Sequence, residues 1–253
     1  MSVLKSMCIS FSIYSKIPMP QFDWKEEDMK YTLCFFPWIG GVIGVLIWLW
    51  TVVCQRFSVG TLSFSLLGTA IPILVSGGFH VDGFLDTMDA FHSYQARERK
   101  LEILKDAHIG AFAVIMLILY YLIYIGAYSE LTDPAAAAVF GAGFFLSRTL
   151  SGISVVCFKP AKKEGMLSLF AESAGKKTVK VVLLVQLFLC VTFMLLVSVR
   201  TAGMVLPAAA LSFVYYRYRS YKELGGITGD LAGYFVTICE GAMVAAAGVS
   251  CLL

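Results

Sequence analysis

From Ile109 to Tyr128 the chain runs through twenty consecutive residues without a charge. As a helix rising 1.5 Å per residue, such a run covers ~30 Å, the thickness of a bilayer's hydrocarbon core. It has companions. Leu33–Val53 is equally free of charge, and Val179–Val199 is charged only at Lys180, where its helix starts. Leu62–Gly78 contains Pro72, and Gly203–Tyr216 is short and contains Pro207. Ala135–Phe158 carries Arg148, and Leu231–Leu253 carries Glu240. The expected architecture is all-α: a polytopic helical bundle of about seven transmembrane helices, in one membrane domain over residues 1–253.

Composition supports this and excludes the rest. Hydrophobic residues make up 58% of the chain and charged residues 15%. Soluble domains stand near ~45–50% and ~25%, so neither a soluble globule nor a disordered chain fits. A net charge of +3 is too small to argue for nucleic acid as a partner. Seven cysteines, with no C-x-x-C pair, suggest neither a disulfide framework nor a zinc site. Residues 1–32 lack a cleavage site. Val3, Leu4, Met7, Phe11 and Tyr14 recur there at helical spacing, as in an amphipathic helix lying on the bilayer.

The basic residues orient the spans. Lys5, Lys16, Lys25 and Lys30 precede the first, and Arg97, Arg99, Lys100 and Lys105 follow the second. Six lysines between Lys159 and Lys180 separate the fourth from the fifth, and Arg217, Arg219 and Lys222 the sixth from the seventh. Only Arg56 and Arg200 fall in the opposite loops, so 17 of 20 basic residues share one side. The positive-inside rule makes that side, and the amino terminus, cytoplasmic. The outer loops hold only Glu130 and Asp133 among the acids. Chemistry is therefore expected at the cytoplasmic face.

One segment there, residues 76–110, holds all three histidines and six acids. Asp82, Asp86 and Asp89 stand at i, i+4 and i+7, which places three carboxylates on one helix face. Like charges so spaced repel, and a divalent cation relieves the repulsion. Carboxylate oxygens suit Mg²⁺, or Mn²⁺ in its place, bridging to substrate phosphates. A solvated acidic face is the plain alternative. His80 reads as a base, a ligand, an orienting group or a hydrogen-bonded structural histidine, and Asp106 taken alone reads as a surface carboxylate. Gly77, Gly78 and Gly83 allow close backbone approach.

A second segment, 223–233, reads as a flexible Gly-rich polar loop around Gly226, Thr228 and Asp230. Its backbone N–H groups suit an anion, and Asp230 suits a helix cap or a metal. Within the spans, Arg148 reads as a phosphate binder or as the partner of Glu240. The lysines of 159–180 read first as a topology signal.

Taken together, these motifs resemble a known family. Gly78 to Asp89 is similar to the H-x-D-G-x-x-D-T-x-D signature of the cobalamin-5-phosphate synthases, the adenosylcobinamide-GDP ribazoletransferases: His80, Asp82, Gly83, Asp86, Thr87 and Asp89 match. Ile17-Pro18, Phe36-Pro37 with Gly40 and Gly44, Arg97-Glu98-Arg99, Leu104-Lys105-Asp106 and Ile109-Gly110 continue the resemblance. So do Ser147-Arg148, the run Gly225 to Asp230, and Glu240. Ala90, His108 and Ala232 depart from frequent glycine, arginine and leucine, and no carboxylate is lost.

The resemblance implies phosphoryl transfer in vitamin B12 assembly. A ribose hydroxyl of α-ribazole, or of its 5′-phosphate, attacks the cobinamide-linked phosphorus of adenosylcobinamide-GDP, and GMP leaves. It implies Mg²⁺ on Asp82, Asp86 and Asp89, with Asp106 or Asp230 completing the shell. It implies a base at His80 or a carboxylate, and substrate contacts from Lys105, Arg148, Gly226, Thr228 and Glu240. The place would be the cytoplasmic face of a bacterial inner membrane. A homo-oligomer or contact with other corrinoid-pathway enzymes stays open. Two rivals weigh against this reading: a CDP-alcohol phosphotransferase, whose A-R step is replaced here by Asp86-Thr87, and a transporter.

Overall fold

The computed structural model describes residues 3–21, 23, 26–161 and 175–253. Lys25, Lys162 and Lys163 lie outside the described residues. The described chain forms ten α-helices. They are α1 (Val3–Tyr14), α2 (Phe36–Arg56), α3 (Thr61–Ser76), α4 (Phe79–His92), α5 (Arg97–Ile103), α6 (Ala111–Ser129), α7 (Pro134–Cys157), α8 (Lys176–Val197), α9 (Val199–Leu224) and α10 (Gly229–Leu252). A 3₁₀ helix, Glu26–Cys34, leads into α2.

Each apolar run of the sequence becomes a helix, but the runs are not equivalent as spans. Five described helices are long and apolar enough to cross a bilayer alone: Asp28–Arg56, α6, α7, α8 and α10. A sixth span arises only if α3 and α4 are taken together, and these are bent by 94°. Helix α9, though 26 residues long, carries Arg217, Arg219, Lys222 and Glu223 in its last turns. The expected seven spans thus reduce to five or six by length and composition. The difference lies in the two proline-containing runs that were already the shortest.

Small residues set the packing. Helix α2 lies along α7, and a Cβ at Gly40 or Gly44 would overlap the backbone of Phe144 or Gly141. This small-xxx-small spacing lets backbones touch where no hydrophobic effect drives association in lipid. Helix α7 is buried along most of its length, with Phe140, Phe144 and Leu146 at its core. Helix α10 packs against α4, α6, α7 and α9. In α1 the buried face is Ser6, Ile9, Ser10 and Phe11, while Val3 and Leu4 are exposed. That leaves an apolar amino-terminal turn facing outward.

Candidate functional site

The acidic helix is set by an elbow. Gly77 ends α3 at φ +65° and Gly78 begins α4 at φ +79°. Side chains are strained in this left-handed region, and two successive residues there turn the chain sharply. The elbow directs α4 across the bundle, so a helix bearing three aspartates need not run through the bilayer.

On α4 the buried face is His80, Gly83, Phe84, Thr87, Met88 and Phe91, together with Ala90. Asp82 is exposed, while Asp86 and Asp89 are partly buried. A fourth carboxylate comes from α10. The backbones of the two helices cross so closely that a Cβ at Gly83 would stand 2.6 Å from the Asp230 carbonyl oxygen. Opposite it, a Cβ at Gly233 would stand 3.3 Å from that of His80. Asp230 thereby joins the cluster from the far end of the sequence. Thr228 Oγ1 accepts from Leu231 N at 3.1 Å and caps α10, fixing its first turn.

The electrostatic result is measurable at Asp86. Burial, followed by the charges of Asp82, Asp230 and Asp89, pushes its carboxyl up to about 6. Asp82, Asp86 and Asp89 have no ion pair among the described residues. The donors are all carboxylate oxygens, the chemistry that Mg²⁺ or Mn²⁺ takes. Among the described residues no three His, Cys, Asp or Glu side chains already converge on one point that would hold an ion. The fit is one of donor type and placement.

Asp89 has a second attachment. Its Oδ2 accepts from Gly110 N at 2.6 Å, tying the start of α6 to α4. A side chain at Gly110 would collide with that carboxylate. Asp106 is placed elsewhere, on an exposed loop, where its Oδ1 accepts from His108 N at 3.0 Å and pairs with His108 Nδ1 at 2.7 Å. These contacts, the backbone one first, hold its carboxyl below the usual range. Lys105 on the same loop is exposed.

His80 points away from the carboxylates. At 100° per residue it lies nearly opposite Asp82, Asp86 and Asp89 around α4, and its ring packs edge-on against Phe36 and Phe79, with centroids 5.6 and 5.5 Å away. Neither ring nitrogen finds a hydrogen-bond partner among the described residues. The ring borders a small cavity of about 20 Å³, which also touches Thr69, Tyr124, Arg148, Thr237 and Glu240 and has room for roughly one water. The structure therefore separates His80 from the acidic cluster with which the sequence groups it.

Arg148 and Glu240 meet on the other side of that cavity. Nη1 of Arg148 donates to Glu240 Oε1 at 2.6 Å and to Phe144 O at 3.0 Å. Ser147 Oγ donates to the same Glu240 oxygen at 3.1 Å. Of the two readings open in the sequence, the mutual pair is the arrangement found, with Arg148 only 1% exposed. Thr237 Oγ1 donates to His80 O at 3.1 Å, and Tyr120 OH donates to Thr237 O at 2.9 Å. This seam braces α4 against α6 and α10.

The Gly-rich segment is tighter than a flexible loop. Glu223 and Leu224 belong to α9, and Gly229 onward to α10, so only Gly225–Thr228 connect them. Gly225 caps α9 at φ +70°. Gly226 N donates to Ser220 O at 3.3 Å, so it is not presented to an anion. A Cβ at Gly226 would meet Lys159 O and the Ala161 backbone. Ile227 N donates to Lys159 O at 2.9 Å, and Ala161 N donates to Ile227 O at 2.8 Å. One ion pair went unforeseen: buried Lys100 donates to Glu223 at 2.5 Å, with Arg219 3.7 Å from the same carboxylate. It joins α5 to α9 beside the connection. A lysine and a glutamate 123 residues apart carry no local signal of pairing.

An all-helical membrane bundle, with four aspartates from two crossing helices gathered at one edge, defines a class: an integral membrane protein with a carboxylate cluster at one edge. Comparison with known proteins narrows it. A family model described as cobalamin-5-phosphate synthase matches residues 6–248, and the chain belongs to that family. An adenosylcobinamide-GDP ribazoletransferase of Lachnoclostridium phytofermentans is 46% identical over 95% of this chain and 92% of its own length. One from Treponema denticola is 32% identical over 94% and 95%. One from Clostridium perfringens strain SM101 is 29% identical over 93% and 94%. No solved structure matches. Membership displaces both rival readings.

Proposed function

We propose that the edge formed by Asp82, Asp86, Asp89 and Asp230 is where this chain joins ribazole to adenosylcobinamide-GDP, the reaction its relatives' names describe. The observation that carries the site is the crossing of α4 and α10 at Gly83, which unites carboxylates from opposite ends of the chain. A ribose hydroxyl attacks the phosphorus next to cobinamide. The new O–P bond forms as the phosphoanhydride bond breaks, and GMP departs with the electron pair.

Phosphoryl transfer asks mainly for positioning and charge neutralisation. Mg²⁺ held by Asp82, Asp86 and Asp230, with the remaining oxygen of Asp89, would neutralise the diphosphate. The hydroxyl proton passes to a carboxylate oxygen of this cluster, since His80 faces the opposite way. Asp106 and Lys105 serve from the exposed loop, by reaching toward bound substrate. The one-sided distribution of lysine and arginine supports a cytoplasmic active face, and the inner membrane is the expected place.

The test is GMP release by purified protein given adenosylcobinamide-GDP and α-ribazole. We expect release with Mg²⁺ or Mn²⁺, none with EDTA, and recovery on adding metal back. Metal-independent release, or CMP release from a CDP-alcohol, would overturn the proposal.

A further inference from the structure

We propose that the cavity beside Asp82 receives the acceptor, an apolar bicyclic base on ribose, and that Lys16 holds the 5′-phosphate of that ribose. This rests on the reaction proposed above. The cavity measures about 550 Å³ and lies between α1, the α3–α4 elbow and α6. That is within the ~300–1,000 Å³ of small-molecule sites. It is too small for a corrin ring with its side chains, which must stay on the open surface.

Its walls decide which nucleoside enters. Ile13, Ile73, Leu85 and Leu117 line it, with Phe79 and Tyr121. Four hydroxyls line it, and two are already committed: Ser15 Oγ donates to Phe11 O and Ser76 Oγ to Pro72 O, each at 2.7 Å, which leaves those of Ser12 and Tyr121. Among the described residues Asp82 is the one carboxylate, and no Asn or Gln contributes. Guanine carries amide donors and acceptors that must be paired when buried, and beside Lys16 and Asp82 only the hydroxyls of Ser12 and Tyr121 are left among the described residues to pair them. A benzimidazole-type base has apolar edges and suits these walls. The cavity therefore selects the acceptor over the GDP end of the donor.

Lys16 is fixed at the rim. Its backbone N donates to Val75 O at 2.8 Å. Its aliphatic stem lies over Gly77, where a Cβ would come within 2.6 Å of Lys16 Cγ. The side chain is exposed and has no ion pair among the described residues. Lys16 and Asp82 thus present a cation and a carboxylate to one cavity. A ribose that carries a 5′-phosphate attacks through another hydroxyl, so its phosphate is a spectator that Lys16 can hold without entering the chemistry.

The experiment measures GMP release with ribazole and with ribazole 5′-phosphate as acceptors. Lys16→Met keeps the stem on Gly77 and removes the charge. The KM for the phosphorylated acceptor, divided by that for ribazole, should rise roughly tenfold, as for one exposed charge-assisted contact. Leu117→Phe, which narrows the cavity, should raise KM for both acceptors and not for adenosylcobinamide-GDP. An unmoved ratio, or a donor KM that rises instead, overturns the assignment. An adenine riboside accepted with the same KM as ribazole overturns the apolar-base selection. Absence of GMP release by the wild type with either acceptor would instead refute the reaction itself.

Discussion

Replacing Gly83 by alanine tests whether the helix crossing makes the site. The new Cβ would stand 2.6 Å from the Asp230 carbonyl oxygen, 3.1 Å from its Cα and 3.2 Å from its carbonyl carbon. All three are backbone atoms of a helix and cannot rotate aside. Ordinary contact begins at 3.4 Å, so α4 and α10 must part by the difference between 3.4 and 2.6 Å, about 0.8 Å. Overpacking of this kind costs ~1–3 kcal/mol. It is set against ~1 kcal/mol gained because alanine favours a helix over glycine. Stability should therefore fall by ~0–2 kcal/mol, whereas a shift approaching 1 Å at a reacting site costs ~10²-fold in rate. The assay is GMP release beside thermal unfolding. Gly126→Ala is the control, because nothing lies within 4 Å of a Cβ there. Wild-type release by Gly83→Ala, with unfolding unchanged, would show that the α4–α10 distance does not position the carboxylates.

Three further outcomes follow from the same geometry. Asp86→Asn should lower GMP release by ~10²-fold or more while the protein stays folded, since it removes a repelled charge; near-wild-type turnover would refute its role. The carboxyl of Asp86 sits at about 6 against an ordinary 3.8, so the folded metal-free protein binds its proton more tightly than the unfolded chain. Its stabilising contribution is full below about pH 4 and is lost as pH rises through 6. In EDTA, the thermal stability of Asp86→Asn should pull ahead of wild type across that window, and Mg²⁺ should close the gap; a pH-independent gap would contradict the shift. Breaking the buried Arg148–Glu240 pair with Arg148→Met or Glu240→Gln alone should cost ~3–5 kcal/mol, and the double variant should recover much of it. Additive losses by thermal or denaturant unfolding would show that the two do not act as a pair.

The parts of this architecture legible in the chain are those with local periodicity. Every apolar run became a helix, and the i, i+4, i+7 spacing of Asp82, Asp86 and Asp89 placed them on one face. The same 100° step also puts His80 on the opposite face, so proximity in sequence to the aspartates does not bring its ring to them. Gly77 and Gly78 were noted as permissive, but a 94° elbow depends on both adopting positive φ together, which glycine allows without requiring. Long-range partners were harder to see. Asp230 reads from the sequence as a helix cap or a metal ligand; Thr228 takes the cap instead, and the place of Asp230 beside Gly83 depends on how two helices cross. Lys100 with Glu223 had no visible cue, and Arg148 with Glu240 was one of two readings because each was a costly charge in an apolar run.

The division of labour around α4 explains how charge can be concentrated at this edge. A helix with three aspartates on one face is unfavourable by itself, so something else must hold it in place. Its other face supplies that hold: Phe84 and Phe91 pack against Tyr234 of α10 at 5.9 and 5.8 Å between ring centroids, and Thr237 binds the carbonyl of His80. The inner face thus anchors the helix through α10, the same helix that brings Asp230. A change that loosens this inner face would therefore move the acidic face relative to its fourth carboxylate. Thr237→Val removes the hydroxyl shared between His80 O and Gly233 O, at nearly constant volume. We expect it to raise the Mg²⁺ concentration needed for half-maximal GMP release. Activity that falls while the Mg²⁺ requirement stays fixed would mean that His80 and Thr237 brace the fold without setting the geometry of the acidic edge.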